Sequence, residues 1–584
     1  MTESKSTSQV PTASAGWGLV PPGATSLVRE LPIVLAGIGF FYAVLAFARY
    51  GSGPMTSQAE ISLSPASLPK YALFSVLRIA AAYIISLVFT LIYGYTAAYN
   101  RRAEKFMIPL LDTLQSIPVL SFLPGVMISM VALFPTRQLG IELGSILLIF
   151  TGQVWNMTFS FYSSLKTIPP EMREAATAYR LSWWQRFWQL ELPQAAIGLI
   201  WNSMMSVAGG WFFLMTCEMF VLGSRDFRLP GLGSYLQTAA NAGDTRATLW
   251  GITTMIGTII VIDQIIWRPV IAWAQKFKLE QVSGEAPRSS ILSLLRNSKL
   301  LPFVSQEWIF PIREKLDLHF ARIGQRSPLS SRTTRTSRWL VGSAGLLAIA
   351  GVAYAVVKML SMISTLSAVE VRHILLGAGA TFLRVEFALL LAAIWTIPVG
   401  VAIGLRPRLS VVARPIAQIA ASVQATALFP IILMILIRAG GALGIGSIIL
   451  LLIGTQWSIL FNVIAGATAI PADLKEVCST YRLSAHERWR TLFLPAIFPY
   501  LITGFVTASG GVWNGSIVAE YFHFRGETIS TIGLGAIISR ATDSGNFRVL
   551  LAATVIMAII VVTINRLAWR RLYGIAATRF TVQG

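Results

Sequence analysis

The sequence predicts an all-α membrane protein of about twelve transmembrane helices, arranged as two parallel repeats of six. Three observations predict this. Of 584 residues, 54% are hydrophobic and only 12% charged, with a mean hydropathy of +0.65, a balance typical of chains that live in lipid. The apolar residues fall in runs near the ~20 that a bilayer-crossing helix needs. The second half also repeats the first. Between 152–193 and 454–495, 14 of 42 positions are identical, against roughly 3 expected by chance. Gly152/Gly454, Trp155/Trp457, Trp211/Trp513, Glu218/Glu520, Gly231-Leu232-Gly233/Gly533-Leu534-Gly535 and Trp267/Trp569 all keep a spacing of 302.

Residues 1–30 are rich in Ser, Thr, Pro and Gly and lack a charged-then-apolar leader pattern, so they read as a disordered cytosolic tail. The first repeat, 31–273, offers spans at Leu31–Ala48, Leu73–Ala98, Ile108–Phe134, Ile141–Ser164, Ala195–Leu222 and Leu249–Trp267. The second, 340–573, offers Leu340–Leu360, Ile374–Leu405, Val411–Ile437, Leu443–Ala465, Ile497–Val518 and Leu550–Trp569. Pro109/Pro415, Pro118, Pro124/Pro430 and Pro398 are expected to kink or break the spans that hold them. Upstream, Arg78/Arg384, Gly94/Gly400, Pro109/Pro415 and Pro124/Pro430 lie 306 apart, so a four-residue length change separates the third and fourth spans. Residues 274–339 form a basic cytosolic linker whose stretch Ser290–Ile323 reads either as amphipathic helices on an anionic leaflet or as a partly ordered tether. Residues 574–584 are a short cytosolic tail.

Charge fixes the orientation. The balance of 47 Lys and Arg against 26 Asp and Glu gives +21, which in a soluble chain points to nucleic acid. Here the basic residues fall in short loops: Arg101, Arg102 and Lys105 after the second span, Arg406 and Arg408 after its counterpart, Arg268, Arg570 and Arg571 after the sixth spans. All lie on one side if both termini are cytosolic. Six spans per half then make the repeats parallel, related by an axis along the membrane normal. No basic soluble domain exists to hold nucleic acid. Cys217 and Cys478 give no disulfide framework.

One polar segment occurs once per half: IPPEMREAATAYRLSWWQRFWQLELP at Ile168–Pro193 and IPADLKEVCSTYRLSAHERWRTLFLP at Ile470–Pro495. Proline frames both ends of each, so each is expected to be two short helices with a turn at Arg180–Ser182 or Arg482–Ser484. Glu174-Ala175-Ala176 followed by Leu192-Pro193, and Glu476 followed by Leu494-Pro495, resemble the "EAA" loop of binding-protein-dependent ABC importer permeases, closest to the nitrate/sulfonate/taurine family. That family usually has Gly where Arg180 and Arg482 stand, and the second copy has Val477-Cys478 in place of Ala-Ala.

The resemblance implies a permease that supplies both halves of a translocation pathway for a small anionic or zwitterionic solute. Its partners would be two ABC ATPase subunits and a periplasmic or lipid-anchored solute-binding protein, at the bacterial inner membrane. It makes the twin segments the ATPase-coupling sites: Glu174, Ala175, Ala176, Tyr179, Arg180, Leu181, Ser182, Leu192 and Pro193 in one, Glu476, Tyr481, Arg482, Leu483, Ser484, Leu494 and Pro495 in the other. No cofactor is expected on this chain; ATP and Mg would sit on the ATPase, and indeed no G-x-x-x-x-G-K-[ST] run occurs.

Charges at membrane depth are the remaining candidates, since they usually face a partner or a cavity. Glu218 and Glu520, with Trp211 and Trp513, are candidates for the translocation path or its outer gate, or else interfacial anchors. Arg78 and Arg384 are candidates for pairing helices. The Gly-Leu-Gly triplets read as tight turns rather than phosphate loops. Neither H-E-x-x-H nor C-x-x-C occurs, so no metal site is expected. Twelve helices in two parallel halves also suit an ion-coupled secondary transporter; an intramembrane enzyme would need clustered His, Asp or Cys, which the spans lack.

Overall fold

The computed structural model describes residues 60–222, 225–277, 361–422, 425–438, 443–524 and 527–579, with parts of 39–53, 306–319 and 350–360. The expected tail at 1–30, most of the linker at 274–339, and most of the first span of each half lie outside the described residues.

The first half runs α1 (Leu68–Tyr99), α2 (Arg101–Ser116), α3 (Leu123–Leu133), α4 (Leu139–Lys166), α5 (Pro170–Ala178), α6 (Trp183–Arg186) and α7 (Leu192–Glu218). A hairpin of β1 (Val221–Leu222) with β2 (Arg225–Asp226), then α8 (Leu232–Ala242), α9 (Thr245–Ile262) and α10 (Arg268–Ala274) complete it. The second half repeats the order: α11 (Ala368–Leu405), α12 (Pro407–Ser422), α13 (Ala425–Arg438), α14 (Leu443–Thr468), α15 (Ala472–Thr480), α16 (Ala485–Arg488) and α17 (Leu494–Ala519). It closes with antiparallel β3 (Tyr521–Phe524) and β4 (Glu527–Ser530), α18 (Leu534–Asp543), α19 (Phe547–Ile564) and α20 (Arg570–Arg579). The two small hairpins were not foreseen in the sequence.

Among the described residues, eight helices are long and apolar enough to cross a membrane, or nine if one bent pair counts as a span. That pair corrects the expected third span, Ile108–Phe134, which is bent by 85° between α2 and the helical turn leading into α3. The cause is local. Pro118 pushes Ile117 out of helical geometry, to φ −86 and ψ 130, as a following proline does. The counterpart, Val411–Ile437, is likewise two helices, α12 and α13. Pro398, by contrast, lies inside an uninterrupted α11. The break after α1 is the same in both halves but has two causes. Asn100 (φ −111, ψ 102) caps α2 by accepting from the Arg102 and Ala103 amides, whereas Arg406 (φ −112, ψ 103) is held extended by Pro407.

Within each half α4 is sandwiched between α1 and α7, and α14 between α11 and α17. Lipid tails give helices no hydrophobic reason to associate, so close backbone approach through small residues must do it. Each first helix supplies such a stripe at four-residue spacing: Ala82, Ser86, Thr90 and Gly94 in α1, and Ala388, Ala392, Thr396 and Gly400 in α11, all buried. Thr90 meets Thr158 of α4 at 3.0 Å between hydroxyls.

The halves exchange their broken segments. The turn Val119–Phe122 packs on α17 and α13 on α7, while α2 packs on α19 and α12 on α9. The Leu120 amide donates to Asn514 Oδ1 at 3.2 Å and the Thr554 hydroxyl to the Ser121 carbonyl at 3.4 Å. The fold is therefore one unit with a two-fold-like centre.

Candidate coupling segments, outer clasps and cavities

The twin segments adopt one conformation. Pro170 stands at the first position of α5, where its missing N–H costs nothing, and Arg173 Nη2 donates to the Leu165 carbonyl at 2.7 Å, fixing α5 to the end of α4. The helix stops as Arg180 turns left-handed at φ 51 and the Leu181 amide donates back to the Ala176 carbonyl at 3.0 Å. Arg482 takes the same φ of 51, with Leu483 donating to Cys478 at 3.1 Å. Ser182 and Ser484 then open the second helices through reciprocal capping boxes with Gln185 and Glu487. A widened π turn follows in each half, Phe187–Glu191 and Trp489–Phe493. Leu192-Pro193 and Leu494-Pro495 begin the long helices immediately after it, where proline crowds the carbonyl four residues back.

Burial separates the two faces of each segment. Ile168, Ala176, Ile470 and Cys478 are buried. Glu174, Ala175, Arg180, Glu476 and Arg482 are exposed, with Tyr179 at 81% and Tyr481 at 74%. One bare tyrosine ring therefore stands at the tip of each segment.

The inward attachments differ. In the first half Glu191 is buried, pairing with Arg186 at 2.7 Å and accepting from the Tyr99 hydroxyl at 2.5 Å. In the second half Phe493 and Leu405 occupy those positions and pack with Ile470, Cys478 and Leu492.

α7 carries the first segment to the other end of the span, where its last residue, Glu218, enters a buried clasp. Arg78 of α1 donates through Nε and Nη2 to both oxygens of Glu142 at 2.7 Å, and through Nη1 to Glu218 at 2.7 Å and the Pro230 carbonyl at 2.9 Å. Glu218 also accepts from the Ser75 hydroxyl at 2.7 Å and the Gly233 amide at 2.8 Å. In the second clasp Arg384 pairs with Glu520 and donates to the Ile532 carbonyl at 3.1 Å. Glu520 accepts from the Thr381 hydroxyl at 2.8 Å and the Gly535 amide at 2.8 Å. The Gly-Leu-Gly triplets are explained by this approach: a Cβ on Gly231 or Gly533 would lie 2.2 or 2.1 Å from the carboxylate atoms of Glu218 or Glu520. Glu142, absent from the sequence candidates, has Gly444 at its repeat position; its acidic side chain in an apolar span was the only available signal.

Glu218, Glu520 and Trp513 are fully buried and Trp211 nearly so; Trp211 lines a smaller cavity described below, and none of the four lines the cavity on the repeat axis. That cavity, about 390 Å³, holds both members of six repeat pairs: Thr216/Val518, Met219/Tyr521, Phe220/Phe522, Val221/His523, Gln237/Ser539 and Asn241/Asp543. It therefore straddles the repeat axis. Its titratable side chains lie mainly in the second half: the Tyr521 hydroxyl donates to Asp543 Oδ2 at 2.6 Å, and His523 Nε2 is 3.1 Å from the same oxygen. Burial, then the Asp543 carboxylate, pushes the Tyr521 hydroxyl up to about 12.

Two further cavities are counterparts that have diverged. One, about 210 Å³, is lined by Gln115, Asn156, Thr507, Ser509 and Asn514 among others. Its partner across the axis, about 160 Å³, has Ala421, Met205 and Val207 at the places of Gln115, Thr507 and Ser509, and includes Trp211.

Comparison with known proteins agrees with this architecture. A nitrate import permease of Leptolyngbya laminosa is 30% identical over 201 residues, 34% of this chain and 67% of the relative. A bicarbonate transport system permease of Synechococcus elongatus is 32% identical over 141 residues, 24% of this chain and 49% of the relative, so the chain spans about half of that protein. A putative aliphatic sulfonates transport permease of Bacillus subtilis is 21% identical over 207 residues, covering 35% and 70%. These relatives are transport permeases rather than enzymes. The family model described as "binding-protein-dependent transport system inner membrane component" matches twice, at 86–266 and 396–575. With an all-helical membrane fold built from two such repeats, this chain belongs to the binding-protein-dependent transport system inner membrane components.

Proposed function

We propose that the chain is the permease of an ATP-driven importer, supplying both halves of the path for a small anionic or zwitterionic solute of the nitrate, bicarbonate or sulfonate kind. The observation that carries this reading is the pair of matched, exposed segments, each rigidly joined through a long helix to a buried clasp at the opposite end of the span. Glu174, Tyr179 and Arg180, with Glu476, Tyr481 and Arg482, dock on two ATPase subunits, which hold the ATP and Mg. Both termini and both segments lie in the cytosol. A periplasmic or lipid-anchored binding protein delivers the solute at the clasp end.

ATP binding draws the ATPases together and the docked segments with them. Because α7 and α17 are continuous from segment to clasp, the movement reaches the outer end, and the axial cavity switches sides. Arg78 and Arg384 hold α1 and α11 to the moving helices. Glu218 and Glu520, backed by Trp211 and Trp513, hold the outer loops that gate the cavity rather than touching solute. Replacing Glu174 and Glu476 together with Lys is expected to reduce ATPase co-purification and abolish ATP-driven uptake in vesicles. Unchanged uptake, or uptake driven by an ion gradient without ATP, would favour a secondary transporter instead.

A further inference from the structure

The polar cavity of about 210 Å³ lies off the axis, walled by α2, α4, α7, α17, α19 and the π turn after α19. On α17 it takes residues from Val506 to Asn514, whereas the axial cavity takes Ile517 and Val518. At 1.5 Å per residue it sits about 10 Å nearer the coupling segment. Its wall carries one kind of charge. Among the described residues Asp112 is the only charged residue there, and Trp155, Phe213 and Trp569 supply aromatic rings. Phe505 stacks on Trp569 at 5.7 Å between centroids, which holds that ring in place. A carboxylate among aromatic rings attracts a cation, by charge and by the negative ring faces, and repels a bare anion. Yet the indole N–H groups of Trp155 and Trp569 are buried without a hydrogen-bond partner among the described residues, and a buried donor is costly until something accepts from it. A ligand with both a positive group and a hydrogen-bond acceptor answers both demands.

The twin cavity lacks this combination. It keeps aromatic walls in Trp211, Trp267 and Phe461, but its carboxylate, Asp263, is already paired with Arg268 at 3.2 Å. At the repeat position of Asp112 stands Gln418. We propose that the polar cavity is an inner station for the solute, present on one side of the axis, and that the solute is a zwitterion. Its protonated amine sits against Asp112 and the rings, and its acid group accepts from the two indole N–H groups. This rests on the importer reading above and narrows the solute to an amine-bearing acid.

The test is isothermal titration of the purified full-length chain with 2-aminoethanesulfonate, with ethanesulfonate, which is the same acid without the amine, and with nitrate. Wild type should bind the aminosulfonate more tightly than either of the others. Asp112→Asn should weaken aminosulfonate binding about ten- to hundredfold, the fold-change of one lost charged hydrogen bond, and erase the preference over ethanesulfonate. Trp155→Phe keeps a ring and removes the N–H, so it should weaken aminosulfonate binding about fivefold. Asp263→Asn in the twin cavity should leave binding unchanged. Ethanesulfonate or nitrate bound as tightly as the aminosulfonate, no binding of any probe, or an unchanged preference in an Asp112→Asn chain that melts like wild type would overturn the proposal. ATP-driven uptake of nitrate but not of the aminosulfonate by wild-type vesicles would overturn it while leaving the importer reading standing. Uptake without ATP would overturn the importer reading and, with it, the station's place on an import path.

Discussion

Replacing Arg78 with Met should be among the most damaging single changes in the protein. Arg78 is fully buried and lies between two carboxylates, those of Glu142 and Glu218, themselves 2% and 0% exposed. Methionine fills most of the same space, so the loss is electrostatic. Breaking a buried pair from one side costs about 3–5 kcal/mol, because the remaining charge has no water to turn to; here two carboxylates are stranded, and the upper end applies. Arg384 gives an internal control. It is 10% exposed and faces one carboxylate, and Glu520 keeps the Thr381 hydroxyl and the Gly535 and Ala536 amides. Arg384→Met should therefore cost about 1.5–3 kcal/mol, the worth of a charged hydrogen bond. Denaturation of the purified full-length chain in detergent measures both. Adding Glu142→Gln to Arg78→Met should recover part of the loss. An Arg78→Met chain as stable as wild type, or less affected than Arg384→Met, would refute the clasp.

Gly231→Ala and Gly533→Ala drive a methyl group into the clasp carboxylates, so each should slow uptake and lower the melting temperature without altering ATPase association. Arg180→Gly or Arg482→Gly should relieve about 1 kcal/mol of left-handed strain, raising the melting temperature slightly while reducing ATPase co-purification. Tyr521, held protonated by burial and by Asp543 up to about 12, should be missing from the tyrosinate absorbance that appears near pH 10; the difference between wild type and Tyr521→Phe isolates it. Its pKa is raised on folding, so its contribution is complete below the unfolded value and fades as pH climbs through the folded one.

The helix–turn–helix form of the twin segments could be read from sequence because its signals are local: proline at the frame, the Arg180–Ser182 or Arg482–Ser484 turn, and a repeat offset shared by both copies. The small-residue stripes of α1 and α11 were present but silent, since an apolar run sums hydropathy without regard to facing. A break at Pro118 was legible, but not its 85° sharpness, because the chain stays apolar through the turn and only the backbone of Ile117 changes. Pro398 shows why proline alone was ambiguous, for it sits in an unbroken helix. Glu142 escaped because its partner Arg78 is remote in sequence and its repeat position holds Gly444. The clasp assignments of Glu218 and Glu520 depended on a loop folding back to present Gly233 and Gly535, a tertiary event no spacing records.

In the proposed mechanism the two matched segments move together and carry both halves with them. After Cys217→Ser and Cys478→Ala, spin labels at the exposed positions Ala178 and Thr480 would report the distance between the tips by pulsed electron spin resonance in the reconstituted transporter. Adding ATP should shift the distribution to shorter distances. A distribution that stays where it was, with ATP bound and the assembly intact, would contradict the claim.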